Sequence, residues 1–303
     1  MRRDVTGPDD LRAMQSLASR IWTPGSRFHP GQLAWNRHFP ALDPSAPAAD
    51  ESISLWTDAR GETVGFGWAE TPEWLELQVD PAHPDVADEV LEWFEEVSDA
   101  EVQSALVMEG DVAEPALAAA GFEPDLDAPW LVHHVLDLEA LPDDDVRADV
   151  GRAAEKGHAV RSVGSNEVAA RAAVHAAAWA DVGPSPVDER AYAELTRTWP
   201  YRSDLDWVVT DRDGAMVASA LMWLDPATGV GLLEPVGVVP GHRGRGLARL
   251  VTMAALQALR RAGGSRAQVT PRGDDGYPGP QRLYRSIGFT PVARTTTWTR
   301  SIS

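Results

Sequence analysis

The chain is one pattern written twice, and this constrains its fold more than any single motif does. "GETVGFGWAE" (61–70) is answered by "GAMVASALMW" (214–223), in each case a turn glycine followed by an alternating, mostly apolar strand. "LELQVDPAH" (75–83) is answered by "EPVGVVPGH" (234–242); Pro81 and Pro240 close strand-like runs, and His83 and His242 follow two places later. "LAAAGFEPDLDAPWLVHHVLDL" (117–138) is answered by "LYRSIGFTPVARTTTWTRSI" (283–302), where a helical segment ends at Gly-Phe and a β-rich tail begins. Trp22 and Trp179 each close an early helical stretch. The matches share an offset of ~158 residues, so the halves are expected to share one fold.

Each half reads as strand, helices, three strands, helix, strand, helix, strands. That order predicts an α/β (α+β) architecture, with a mixed, mostly antiparallel central sheet flanked by helices. The expected units are residues 1–142 and 158–303. The linker is expected within 143–157, in the charged stretch "LPDDDVRADVGRAAEKG" (141–157). Composition narrows the function. Aspartate and glutamate total 46 against 27 lysines and arginines, a net charge of −19, so a nucleic-acid or anionic-membrane partner is not expected. Cysteine is absent, which removes disulfides, thiolate nucleophiles and cysteine-ligated zinc. The N-terminus lacks the apolar core of a signal peptide, and no apolar run reaches membrane-span length, so the expected location is the cytoplasm. No carboxylate–histidine cluster has metal-ligand spacing, and no metal is expected.

Against that acidic background, "VPGHRGRGLAR" (239–249) concentrates Arg243, Arg245 and Arg249 among Gly241, Gly244 and Gly246. An apolar, valine-rich run precedes it, consistent with a buried strand. After it, Leu247, Leu250, Val251, Ala254 and Leu259 recur at helical spacing up to Gly263-Gly264. Strand, glycine-rich turn and helix N-terminus together form a site for an anion such as a pyrophosphate. A P-loop would need a lysine that is missing here, and Arg249 stands where the dinucleotide fingerprint needs its last glycine.

What remains is [QR]xxGx[GA], as Arg243, Gly246 and Ala248. With "LYRSIGF" (283–289) about 40 residues downstream, the chain resembles the GCN5-related N-acetyltransferase (GNAT) superfamily. The likeness is strongest over 205–303. The two-part layout resembles that of tandem acetyltransferases such as mycothiol synthase, which pair a degenerate domain with a functional one. The resemblance implies acetyl-CoA as cosubstrate. Val236, Gly237 and Val238 would hold its pantetheine arm by strand addition, and Arg243, Gly244, Arg245, Gly246, Leu247, Ala248 and Arg249 would hold its pyrophosphate. It implies Tyr284 as general acid toward the leaving thiolate and Glu234 as base for the amine; the alternatives are a core tyrosine and a structural carboxylate. The superfamily often has an asparagine seven residues before the tyrosine, and Tyr277 stands there instead.

The first copy departs at the loop. Pro84, Asp85 and Asp88 occupy the places of Arg243, Gly244 and Leu247. A proline lacks the amide and the carboxylates repel a diphosphate, so this half is expected not to bind coenzyme A and to act as support with some contribution to the pocket. Acceptor recognition is expected in 178–192 and in 20–35. His175 reads as structural, His133 and His134 as a strand pair facing opposite sides, and Asp274 and Asp275 as a solvated turn. The implied activity is acetyl transfer to the primary amine of a small molecule. A non-catalytic acyl-CoA-binding scaffold and a protein acetyltransferase are the alternatives, and the oligomeric state is left open.

Overall fold

The computed structural model describes residues 1–5, 7–39, 52–141, 150–181, 185 and 187–302. Much of the expected linker lies outside the described residues, as do parts of the 178–192 loop.

The element order follows the duplicated pattern. The first half runs β1 (Arg2–Asp4), α1 (Pro8–Arg20), α2 (Pro30–His38), β2 (Ser52–Thr57), β3 (Thr63–Thr71), β4 (Trp74–Val79), α3 (Val86–Val97), β5 (Val102–Met108), α4 (Glu114–Ala119), β6 (Glu123–Asp125) and β7 (Val132–Asp137). The second runs β8 (Ala159–Ser162), α5 (Val168–Trp179), α6 (Glu189–Leu195), β9 (Asp206–Thr210), β10 (Met216–Asp225), β11 (Val230–Val238), α7 (Leu247–Arg261), β12 (Arg266–Val269), α8 (Gly279–Ile287) and β13 (Thr290–Ser301). All strands join one sheet, ordered β1-β2-β3-β4-β5-β13-β7-β12-β11-β10-β9-β8, with β6 on β13. Among the described pairs, only β4–β5 and β11–β12 are parallel.

At the centre of that order the two halves exchange strands. β7, from the first half, pairs with β12 of the second. The second half's terminal strand spans both: Thr290–Arg294 lies on β7, and Thr295–Ser301 lies on β5. Each half therefore lends its last strand to the other's sheet. Strand periodicity shows that 132–137 and 290–301 are extended, but not which edge they join.

Helices cover both faces. α7 lays Leu247, Leu250, Val251, Leu256 and Leu259 on one face of the second half's sheet, joined by Tyr284, Ile287 and Phe289. On the opposite face Trp223, Leu221 and Leu232 pack with Ala172, Tyr192 and Leu195. Ala34 and Phe39 of the first half join that cluster, so α2 is docked on the second half's sheet. Under α5 and α6 a buried ionic knot replaces apolar packing. Arg171 donates to Asp206 at 2.8 Å, with both side chains fully buried, and the Tyr192 hydroxyl donates to the same carboxylate at 2.5 Å.

Candidate active site

The site opens where two neighbouring strands part. β11 and β12 are paired only over Val230–Leu232 and Arg266–Gln268. On its other side β11 is bulged: the register with β10 passes from Ala220↔Val236 to Met222↔Leu233, so Glu234 and Pro235 together oppose Leu221. The parted strands bound a cleft of about 910 Å³. It runs from Glu234 along Val236, Gly237 and Val238 to the glycine loop. Trp179 at the end of α5, Leu283 and Tyr284 of α8, and 269–272 form its other walls. Leu131 comes from the first half, immediately before β7.

The loop meets α7 through two left-handed glycines, Gly244 at φ 73° and Gly246 at φ 82°. Side-chain-bearing residues are disfavoured at such angles, by about 1–2 kcal/mol each. A side chain at either position would meet nothing within 4 Å, so the outer face of the loop is open. The first-turn amides of α7 have no intrahelical acceptor, and the positive end of the helix lies with them. Backbone donors suited to a pyrophosphate thus converge at one end of the cleft. The first half's counterpart is closed. The Asp80 carboxylate accepts the Ala82 amide at 2.9 Å, the His83 amide donates to the Asp80 carbonyl at 2.8 Å, and Arg20 pairs with Asp80.

The three loop arginines differ. Arg243 is clasped by Asp181, with its guanidinium donating to both carboxylate oxygens at 2.5 and 2.9 Å, and also donates to the Ala178 and Val238 carbonyls. It ties the end of α5 to the loop. Asp181 lies in the 178–192 stretch expected to recognise the acceptor, and the fold brings it to Arg243, 62 positions along the chain. Arg249 lines the cleft and donates to the Ser286 carbonyl at 3.2 Å. Arg245 turns back to the Gly241 carbonyl at 2.9 Å and is not among the residues that line the cleft. Gly244, Gly246, Leu247 and Ala248 line it.

Glu234 and Tyr284 share the inner end of the cleft. The Oε2 atom of Glu234 is buried with no partner among the described residues. Burial pushes this carboxyl up to about 7, against the pull of Arg27 from the first half. Arg27 is itself buried and bonded to Glu76 at 2.8 Å. Burial, then the nearby Glu234 and Tyr277, hold the Tyr284 phenol well above its ordinary 10, so it keeps its proton at neutral pH. A carboxyl poised near neutrality and a proton-holding phenol thus line one cavity.

The remaining candidates fall into structural places. His175 stacks on Trp179 at 4.4 Å between ring centroids, with Trp35 of α2 at 5.2 Å on its other side. Burial drives it down to about 3, so it is a neutral spacer. His133 and His134 are both buried: His133 Nδ1 accepts from the Gln268 amide at 3.2 Å, and His134 Nδ1 lies 3.2 Å from the Val132 carbonyl. Asp274 pairs with Arg272 and accepts the Gly276 amide. Tyr277 lines the cleft and is about half exposed. Among the described residues no group of three candidate ligands is arranged to hold a metal ion, and no helix is long and apolar enough to cross a membrane.

Residues 173–289 match the model of the acetyltransferase (GNAT) family. Mycothiol acetyltransferase of Beutenbergia cavernae is 42% identical over 98 residues, 32% of this chain and 31% of that protein. A GCN5-related N-acetyltransferase from Sphaerobacter thermophilus has a similar fold over 99% of this chain and 95% of its own, with a TM-score of 0.61 at 18% identity. A tandem GNAT protein from the clavulanic acid biosynthesis pathway is similar over 99% and 98%, with a TM-score of 0.61 at 17% identity.

Proposed function

We propose that this chain is a tandem GNAT protein, with an acetyltransferase domain over residues 173–289, and that it transfers an acetyl group from acetyl-CoA to the primary amine of a small molecule. The observation that carries this reading is one cleft holding Glu234 and Tyr284 at its inner end and the Gly244–Gly246 turn at its outer end. Acetyl-CoA supplies the thioester whose acyl carbon the amine attacks. The open turn and the first-turn amides of α7 would hold its diphosphate, with Arg249 beside them. The backbone of Val236–Val238 has no partner strand on the cleft side and would pair with the pantetheine amides.

Glu234 then takes a proton from the incoming amine at Oε2, the buried oxygen with no other duty. Tyr284 holds a proton at its hydroxyl for the departing sulfur; a thiol with a pKa near 8.5 is a better leaving group once that proton is offered. Trp179, Leu131 and Pro271 give the acceptor end apolar walls, and Arg272 adds one charged edge. A cleft walled by both halves suits a metabolite better than a folded protein.

The test is calorimetric titration of acetyl-CoA into the wild type and an Arg243→Ala/Gly246→Asp double mutant. One site per chain, lost in the mutant, supports the reading, and a panel of amines then finds the acceptor. No binding to the wild type would overturn it. Two sites would show that the Pro84–Asp85 turn also takes the coenzyme.

A further inference from the structure

The first half grips β11 through the start of α2. His29 caps that helix: its Nδ1 accepts the Gly31 amide at 3.0 Å. The ring proton must then sit on Nε2, which donates to the Val230 carbonyl at 3.2 Å, at the head of β11. Burial lowers His29 to about 4, so this neutral tautomer is the form present at neutral pH.

Two residues on, a Cβ at Gly31 would lie 2.2 Å from both Cβ and Cγ of Trp223. The backbone of the first turn of α2 therefore lies flat against that indole, and only glycine allows the approach. Trp223 is wholly buried, and its Nε1 donates to the Glu234 carbonyl at 2.7 Å. That carbonyl belongs to the bulge, where Glu234 has no residue of its own opposite it on β10 and none on β12. A side-chain donor thus replaces the missing ladder bond.

We propose that Trp223 is a positioning residue for Glu234, and that Gly31 of the first half is the seat that fixes Trp223 at the bulge. Glu234 stands at a local interruption of the sheet, where the backbone is otherwise free to shift. The indole N–H fixes the carbonyl, and with it the direction of the carboxyl into the dry inner end of the cleft. The first half, without a coenzyme loop of its own, thereby acts on the reacting end of the second. The inference rests on the reading of Glu234 as base.

The experiment follows the Glu234 carboxyl by carbon NMR in the full chain labelled at glutamate Cδ. The resonance is identified by its loss in Glu234→Gln. Its midpoint is compared in the wild type, Trp223→Phe, Gly31→Ala, the double mutant, and His38→Ala. His38 makes a different bond between the halves, to the Thr198 hydroxyl at 2.7 Å, and serves as the control. Acetyl-CoA affinity is measured alongside by calorimetry. In Trp223→Phe the bulge relaxes and admits water, so the titration midpoint should move down by about 0.5 pH or more while acetyl-CoA affinity stays within about twofold. Gly31→Ala should act in the same direction, and the double mutant should fall short of the sum, because both changes act through the one bond from Trp223 Nε1 to the Glu234 carbonyl. His38→Ala should leave the midpoint unmoved.

An unchanged midpoint in folded Trp223→Phe would overturn the proposal, as would simple additivity in the double mutant. If Trp223→Phe does not fold, Gly31→Ala alone decides, and an unmoved midpoint again overturns it. Failure of the wild type to bind acetyl-CoA would refute the proposed activity while leaving the midpoint comparison intact.

Discussion

Replacing Glu234 with glutamine should stabilise the protein while disabling it, and the two effects should share one pH dependence. The carboxyl stands at about 7 in the folded protein against an ordinary 4.5, because burial disfavours its charge. Below pH ~4.5 it is protonated in the folded and the unfolded chain alike and adds no pH dependence. Between ~4.5 and ~7 the unfolded chain releases this proton and the folded chain keeps it, so the wild type loses stability as pH rises. Above ~7 the loss is complete and amounts to about 3 kcal/mol, at roughly 1.4 kcal/mol for each tenfold difference in proton affinity between the folded and unfolded chains.

Glutamine has the same shape and no proton to release. Relative to the wild type, Glu234→Gln should therefore gain about 3 kcal/mol between pH 4.5 and pH 8. For a chain of 303 residues, with unfolding entropy near 2 cal/mol/K per residue, that is ~5 °C of melting temperature. The assay is thermal unfolding of both proteins at four or five pH values across that range. Acetyl transfer should fall by about 10²–10³ in kcat/KM, and the wild-type rate should climb through an apparent pKa near 7. A melting difference that stays flat with pH would show that Glu234 is hydrated and ordinary, and would remove the argument for it as base.

Tyr284→Phe should lower kcat by about 10²-fold with acetyl-CoA affinity within about twofold, since only the proton for the leaving sulfur is lost; a large loss of affinity would make it a packing residue. Asp181→Asn should free Arg243 from its carboxylate clasp, tightening acetyl-CoA several-fold and steepening the salt dependence, with little stability change because the pair is exposed to solvent. Calorimetry at two salt concentrations checks this, and weaker binding would mean that the clasp itself shapes the site. Gly244→Ala should cost about 1–2 kcal/mol and weaken the coenzyme, since alanine resists φ 73°; unchanged affinity would take the turn out of the binding site. Residues 158–303 expressed alone should be poorly folded, and co-expression with residues 1–157 should recover a soluble complex, because each part holds a strand of the other's sheet; circular dichroism and size exclusion decide it.

Much of the site was legible because its residues are local. The turn, the helix start and the strand before them lie in one stretch, 230–250, and glycine, arginine and valine each betray a backbone or charge requirement there. The element order was legible because the copies repeat it. Contacts across the chain were not. Nothing in the sequence ties Asp181 to Arg243, Gly31 to Trp223, or Arg27 to the surroundings of Glu234; the first pair forms only when the second half folds, and the other two only once both halves are docked. The strand exchange was hidden for a related reason. Alternation shows that 290–301 is extended, yet its twelve residues divide between two partner strands, β7 and β5.

The same long-range contacts explain why a half without a coenzyme loop is retained as part of the machine. In the turn before Pro84 and Asp85, Asp80 already accepts the Ala82 and His83 amides. Its β7 nevertheless forms the sheet neighbour of β12, and Leu131 beside it walls the cleft. Its α2 supplies Trp35 behind the His175–Trp179 stack and Gly31 beneath Trp223. Its Arg27 is the nearby charge that keeps Glu234 from rising further. Removal of this half would take away a strand, a wall of the cleft and the seat beneath Trp223. The duplication is thus asymmetric in chemistry and reciprocal in structure, and changes at α2 should be felt in the cleft even though α2 contributes no lining residue to it.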